Sequence, residues 1–199
     1  MDIRMLRPLT RRNMLLGSAA GLALPVFASP PLRAAAVLTP ACGPDTVPTT
    51  SQGQGPYYTP DSPLKADFTD DTAPGEVLLL QGLVMDHACR PVSGAVVDLW
   101  HADRRGRYDN SGFELRGHQI TDAAGRYSFV TCTPGDYPGR ARHYHVKVRA
   151  PQGPLLTTQL YFPDDPGRLK DFGYRSELEL ALAGGGGQRT GRFDFIVQV

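Results

Sequence analysis

Long apolar runs are missing from this sequence. The one candidate, inside MLLGSAAGLALPVFASP, is too short to cross a bilayer, which argues against stable membrane insertion. Basic tracts are missing too, and the formal charge of the 199 residues is only +1, so nucleic acid is not an expected partner. Cysteine is limited to Cys42, Cys89 and Cys132, at spacings that fit no zinc pattern. A long amphipathic helical pattern, an internal repeat and a second domain are equally lacking. Glycine (22) and proline (18) are plentiful beside a 41% hydrophobic content, which suits a turn-rich β domain with a real core. A domain of this size removes roughly 70% of its extended-chain surface from water.

The first 36 residues read as a segment apart. Arg11 and Arg12 precede a mild apolar run, and small residues follow at VFA and RAAA, where a signal peptidase could cut. The pattern resembles the signal of the bacterial twin-arginine export route. The expected division is therefore an export peptide over 1–36 and a single domain over 37–199. Residues 1–36 hold five arginines against one aspartate, a net of +4, which leaves −3 for the remainder. In an oxidising compartment the three cysteines allow one disulfide. Cys42 and Cys89 both lie in proline-flanked turns, and pairing them would tie the N-terminal arm to the domain, a bond the sequence leaves open. Cys132 follows the strand-like RYSFV and reads as a small buried residue.

Strand signals recur at EVLLLQGLVMD (76–86), GAVVDLWHAD (94–103), GRYSFVT (125–131), RHYHVKVRA (142–150) and LLTTQLYF (155–162). They are short, rich in β-branched and aromatic residues, and separated by Gly, Pro and Asp. The expected fold is all-β, an antiparallel β-sandwich with long loops. SELELALA (176–183) allows a helical capping box at Ser176 and Glu179, but its alternating leucines favour a strand of a closing hairpin with GRFDFIVQV.

Within RHYHVKVRA, alternation puts His143 and His145 on one face and Tyr144, Val146 and Val148 on the other. Two imidazoles so spaced can reach one metal ion, although an HxH alone is weak evidence. His87, His101 and His118 show no such pairing and read as structural or surface residues. Tyr108, in a loop just past a strand, and Tyr137, in the turn TPGDYPGR, each read alone as a corner or core tyrosine. Taken with the histidines they form a hard donor set: a phenol needs a strong Lewis acid to lose its proton, and trivalent iron accepts phenolate and imidazole together.

The ordered set of Trp100 with Tyr108 eight residues on, PGDYPGR, RHYH and TTQLYF resembles the intradiol ring-cleavage dioxygenases, notably the protocatechuate 3,4-dioxygenase type. The likeness runs from SQGQGPYY (51–58) to the C terminus. It implies a ferric ion held by Tyr108, Tyr137, His143 and His145, with Tyr137 also taking a substrate proton. Arg140 would stand beside the substrate ring, Gln159 in its network, and Tyr57 on the pocket wall. The implied partners are a catecholic aromatic and O2, and the implied reaction opens the ring between its hydroxyl-bearing carbons to a muconate-type diacid. Assembly into a homo-oligomer stays open. The competing reading is an exported carboxypeptidase-regulatory or adhesin-like sandwich, which shares the PVxGAxVxL and TDxxGxYxF rhythm but has no use for the histidine pair or for Tyr108.

Overall fold

The computed structural model describes residues 42–43 and 46–199; the expected export peptide, 1–36, lies outside them. Among the described residues no helix is long and apolar enough to cross a membrane. The described residues form nine strands: β1 (Val77–Asp86), β2 (Val96–Trp100), β3 (Arg116–Ile120), β4 (Arg126–Thr131), β5 (His143–Arg149), β6 (Leu155–Tyr161), β7 (Ala181–Gly185), β8 (Gln188–Arg192) and β9 (Phe195–Val197). One sheet runs in the order β4-β1-β8-β7, with β9 also on β1; the other runs β3-β2-β5-β6. The expected sandwich is present. Side chains at alternate positions, among them Leu78 and Leu80 of β1, Val97 and Leu99 of β2, Phe129 of β4 and Tyr144, Val146 and Val148 of β5, make the core. Burial of that apolar area, at about 25 cal/mol per Å², is the main stabilising term.

The structure corrects three details. The second sheet is antiparallel throughout, but β1 runs parallel to β8 over Val77–Gln81 and to β9 over Val84–Asp86. The β7–β8 hairpin reverses the chain before it meets β1, so the closing strands arrive in β1's own direction. Where β8 hands over to β9, the buried Asp194 carboxylate accepts the Leu83 N–H at 2.9 Å, replacing a ladder bond. Strand β3 was not expected, because RGHQI carries one residue of high β propensity; pairing with β2 along its whole length makes it a strand. SELELALA divides: Ser176–Leu178 is a single 3-10 turn without a side-chain cap, and the strand begins only at Ala181.

One turn is used three times. Asp86, Asp103 and Asp122 each start a five-residue reversal that ends in arginine: DHACR, DRRGR and DAAGR. Each aspartate carboxylate accepts the N–H groups two and four residues on. The same carboxylate pairs with the closing arginine. The fourth residue must adopt a left-handed backbone, and Gly106 and Gly125 do so at φ 75° and 71°. Cys89 takes that position in the first turn at φ 61°, a conformation uncommon for a residue with a side chain. It is disulfide-bonded to Cys42, which settles the pairing the sequence left open. Cys132 is buried with a free thiol.

His101 is a core residue. Its Nδ1–H donates to the Ala102 carbonyl at 2.8 Å and its Nε2 accepts from the Thr131 hydroxyl at 2.7 Å, which fixes a neutral tautomer. Burial pushes its imidazole from the ordinary 6.5 down to about 4. Between those values the unfolded chain takes up a proton that the folded chain refuses. Stability contributed by neutral His101 is thus complete above pH 6.5 and is lost as the pH falls toward 4, with a slope approaching about 1.4 kcal/mol per pH unit. Urea unfolding of the protein and of His101→Gln between pH 7 and 4 measures this: the variant, less stable at pH 7, is expected to show the shallower decline.

Candidate active site

The outward face of the β3-β2-β5-β6 sheet carries the site. Register places Trp100, His145 and Gln159 opposite one another on β2, β5 and β6, and His143 opposite Tyr161 in the next row. Cross-strand neighbours present their side chains on one face, so the row is fixed by pairing alone. On a bare sheet this face would be wet, yet His143 and His145 are only 4% and 3% exposed. The covering is the arm that precedes β1. The Gln52 N–H donates to the Thr157 carbonyl, the Thr158 hydroxyl donates to the Thr50 carbonyl, and the Gln159 amide donates to the Gly53 carbonyl.

Two loops bring in the phenols. The DRRGR turn ends immediately before Tyr108, and Tyr137 opens the turn Tyr137-Pro138-Gly139-Arg140, with Pro in the second place and Gly139 at φ 76° in the third. The loops are fastened together. The Gly135 N–H donates to the Asp103 carbonyl at 2.9 Å. A methyl group on Gly106 would lie 2.1 Å from the Asp136 carbonyl oxygen, and one on Gly135 would lie 2.3 Å from that of Arg104. No side chain can be tolerated at that seam.

The rings form a continuous chain. His143 and His145 have centroids 4.7 Å apart, Tyr108 is 6.0 Å from His145, and Tyr137 is 6.3 Å from Tyr108. Tyr57 closes the group, stacked on Tyr108 at 4.5 Å with its hydroxyl 3.2 Å from that of Tyr137. The sequence-derived residues Tyr57, Tyr108, Tyr137, His143 and His145 thus meet in one place. Arg140 and Gln159 stand beside them: Gln159 Oε1 accepts from Arg140 Nη2 at 2.6 Å.

The protonation states suit cation binding. The His143 Nδ1–H donates to the Ala141 carbonyl, which turns the Nε2 lone pair toward the Nε2 of His145, 3.1 Å away. Burial pushes His143 down to about 4, and burial together with the nearby His143 ring pushes His145 well below its ordinary value. Both rings are therefore neutral at ordinary pH with lone pairs available. Two imidazoles at this separation can serve one ion at the usual nitrogen–metal length of about 2.1 Å. Burial pushes the Tyr108 phenol up, and the hydrogen bond shared with the Tyr57 hydroxyl, which favours the protonated form, pushes up that of Tyr137. Among the described residues no group of three or more His, Cys, Asp and Glu side chains is placed to hold a metal ion, so what accompanies the histidine pair is phenol rather than carboxylate or thiol. Such a hard, mixed set fits trivalent iron. His145 Nδ1 is buried without a hydrogen-bond partner, and its ring is held by parallel stacking on Trp100 at 4.9 Å.

Two supporting residues escaped the sequence reading. Arg116, on the unexpected strand β3, is 2% exposed and donates to the carbonyls of Tyr57 and Asp109, clamping the arm and the Tyr108 loop at once. Asp171 accepts from Arg140 Nε at 3.0 Å and from the N–H groups of Ala141 and Gly173. Burial pushes the Asp171 carboxyl up, but these donors outweigh it and hold the group below its ordinary range. The threefold DxxxR spacing was the available signal for the loop geometry; neither Arg116 nor Asp171 had one.

The Dioxygenase family model matches residues 53–184. The chain belongs to the intradiol ring-cleavage dioxygenases. It is 33% identical over 156 residues to catechol 1,2-dioxygenase 2 of Acinetobacter lwoffii, covering 65% of this chain and 57% of that protein. It is 34% identical over 127 residues to the protocatechuate 3,4-dioxygenase beta chain of Burkholderia cepacia, covering 52% and 54%. This chain thus spans little more than half the length of these curated relatives. Among solved structures, the dioxygenase domain of a dioxygenase carbohydrate-binding protein fusion from Streptomyces sp. SirexAA-E superposes with a TM-score of 0.74 at 44% identity, over 77% of this chain and 99% of that one.

Replacing Asp171 with Asn leaves Arg140 without its buried counter-charge. The expected cost is about 3 kcal/mol of stability, read as a lower urea midpoint.

Proposed function

We propose that this protein is a non-haem ferric dioxygenase that opens a catecholic ring between its two hydroxyl-bearing carbons with O2, giving a muconate-type diacid. The observation that carries this reading is the pair of neutral imidazole nitrogens 3.1 Å apart beside two phenols delivered by separate loops. Tyr108, Tyr137, His143 and His145 would hold the iron. When bound, ferric iron supplies the Lewis acidity that deprotonates phenol and catechol and makes the ring reactive toward O2.

The protein's own groups have distinct tasks. Tyr137, as the phenolate that the bound iron would generate, would take a catechol proton and become a phenol, and the Tyr57 hydroxyl, 3.2 Å away, holds its oxygen in position to do so. Arg140, always charged, stabilises negative charge that builds on the ring and the attacking oxygen. Its aim comes from Asp171 on one side and Gln159 on the other. The arm across the sheet excludes water from the histidine row. The adhesin-like alternative is not favoured, since the family match covers the residues that such a module would leave idle.

The iron-loaded protein is expected to be red-brown from tyrosinate-to-iron charge transfer, with a band that moves on adding catechol. Tyr108→Phe should weaken and shift that band, Tyr137 remaining as the second tyrosinate, and lower catechol-dependent O2 uptake more than about a hundredfold, beyond the usual effect of a supporting partner. Retention of both activity and an unchanged band would overturn the assignment of Tyr108. The twin-arginine segment supports action outside the cytoplasm; N-terminal sequencing of protein recovered from the periplasm or medium is expected to begin near residue 37.

A further inference from the structure

The cavity beside the histidine row is larger than one aromatic ring requires. It measures about 450 Å³ and is walled by Gln52, Gly55, Arg140, Gln159, Phe172 and Arg175, among others, within the range of pockets that take drug-sized ligands. Contacts order the wall from inside outward. Gly55 lies against His145, since a methyl group there would stand 3.2 Å from its Cε1. Arg140 follows, bonded to Gln159, and its guanidinium carbon lies 5.7 Å from the Phe172 ring centre. Arg175 comes last, donating to the carbonyls of Phe172 and Tyr174.

Two features of the outer wall are unexplained by ring opening. Phe172 is 85% exposed, although a large apolar side chain at the mouth of a cavity gains nothing from water. The charge of Arg140 is balanced by the buried Asp171, whereas Arg175 meets only backbone carbonyls and no carboxylate among the described residues. The rim therefore combines an open aromatic face with one uncompensated positive charge, outside the part of the pocket that would take the ring.

We propose that this rim is a subsite for a substituent, and that the substrate class is a catechol bearing an acidic side arm. The dihydroxylated ring lies beside Arg140 and Gln159, the arm runs along Phe172, and its terminal carboxylate meets Arg175. This rests on the catechol dioxygenase reading and extends it to the substrate.

The test compares 3-(3,4-dihydroxyphenyl)propionate with its methyl ester on the iron-loaded protein, measuring kcat/KM by O2 uptake and Kd by calorimetry. The acid is expected to be favoured about fivefold, the upper range for an exposed ion pair, and the preference should shrink as salt is raised. Arg175→Gln should bring the acid-to-ester ratio to about one, and Arg175→Lys should keep most of it. Equal values for acid and ester in the unaltered protein, or a preference that survives Arg175→Gln, overturns the subsite. Wild-type O2 uptake with unsubstituted catechol reports separately on the parent reading, and the calorimetric ratio tests the subsite even if that uptake is absent.

Discussion

Two imidazoles have been buried on the outward face of a sheet, and that constraint organises the rest of the molecule. Strand alternation alone would leave His143 and His145 in solvent, where each would titrate near its ordinary value. The arm from Thr50 to Tyr58 lies over them, fastened to β6 through Thr157, Thr158 and Gln159. Desolvation then keeps both rings uncharged with free lone pairs, while the Ala141 carbonyl orients one ring and Trp100 stacks on the other. Binding capacity here is a product of covering a sheet face, not of the histidines themselves.

The phenols demand a different solution, because they come from loops. A loop gains precision when its backbone is tied down, and the Asp-to-Arg turn does this with a carboxylate accepting two N–H groups. The same device reverses the chain after β1 and between β3 and β4, so the site borrows a turn that the fold already uses. At the seam between the Tyr108 and Tyr137 loops, backbone meets backbone at Gly106 and Gly135, leaving little room for either loop to shift. The buried Arg116 completes the arrangement by joining arm and loop through carbonyl acceptors.

Arg140 links chemistry to selectivity. Its Nε is committed to Asp171 and one Nη to Gln159, so the guanidinium plane is fixed while one face lies toward Phe172. Fixing a charge in this way removes the reorganisation that a mobile arginine would need during reaction. The residues just after Asp171 in the same loop form the rim, so the anchor of the arginine and the proposed substituent contacts belong to one short segment, Asp171–Arg175.

Much of this was legible without coordinates. Period-two alternation gave the strand carrying His143 and His145 and the face they share, and five of the nine strands among the described residues stand out by composition. Chain chemistry by itself determined the donor types, the turn residues and the apolar faces, since those depend on local sequence. Tertiary structure decided what sequence-distant segments do to one another. It laid the arm over the histidine row, made a strand of RGHQI by pairing it with β2, and turned β8 and β9 parallel to β1. It also brought Asp171 behind Arg140 and Arg116 beneath Tyr57. The reason is that hydrogen-bond acceptors and desolvation act through space, and a carboxylate 31 residues away in the chain leaves no trace in the periodicity around the arginine it holds.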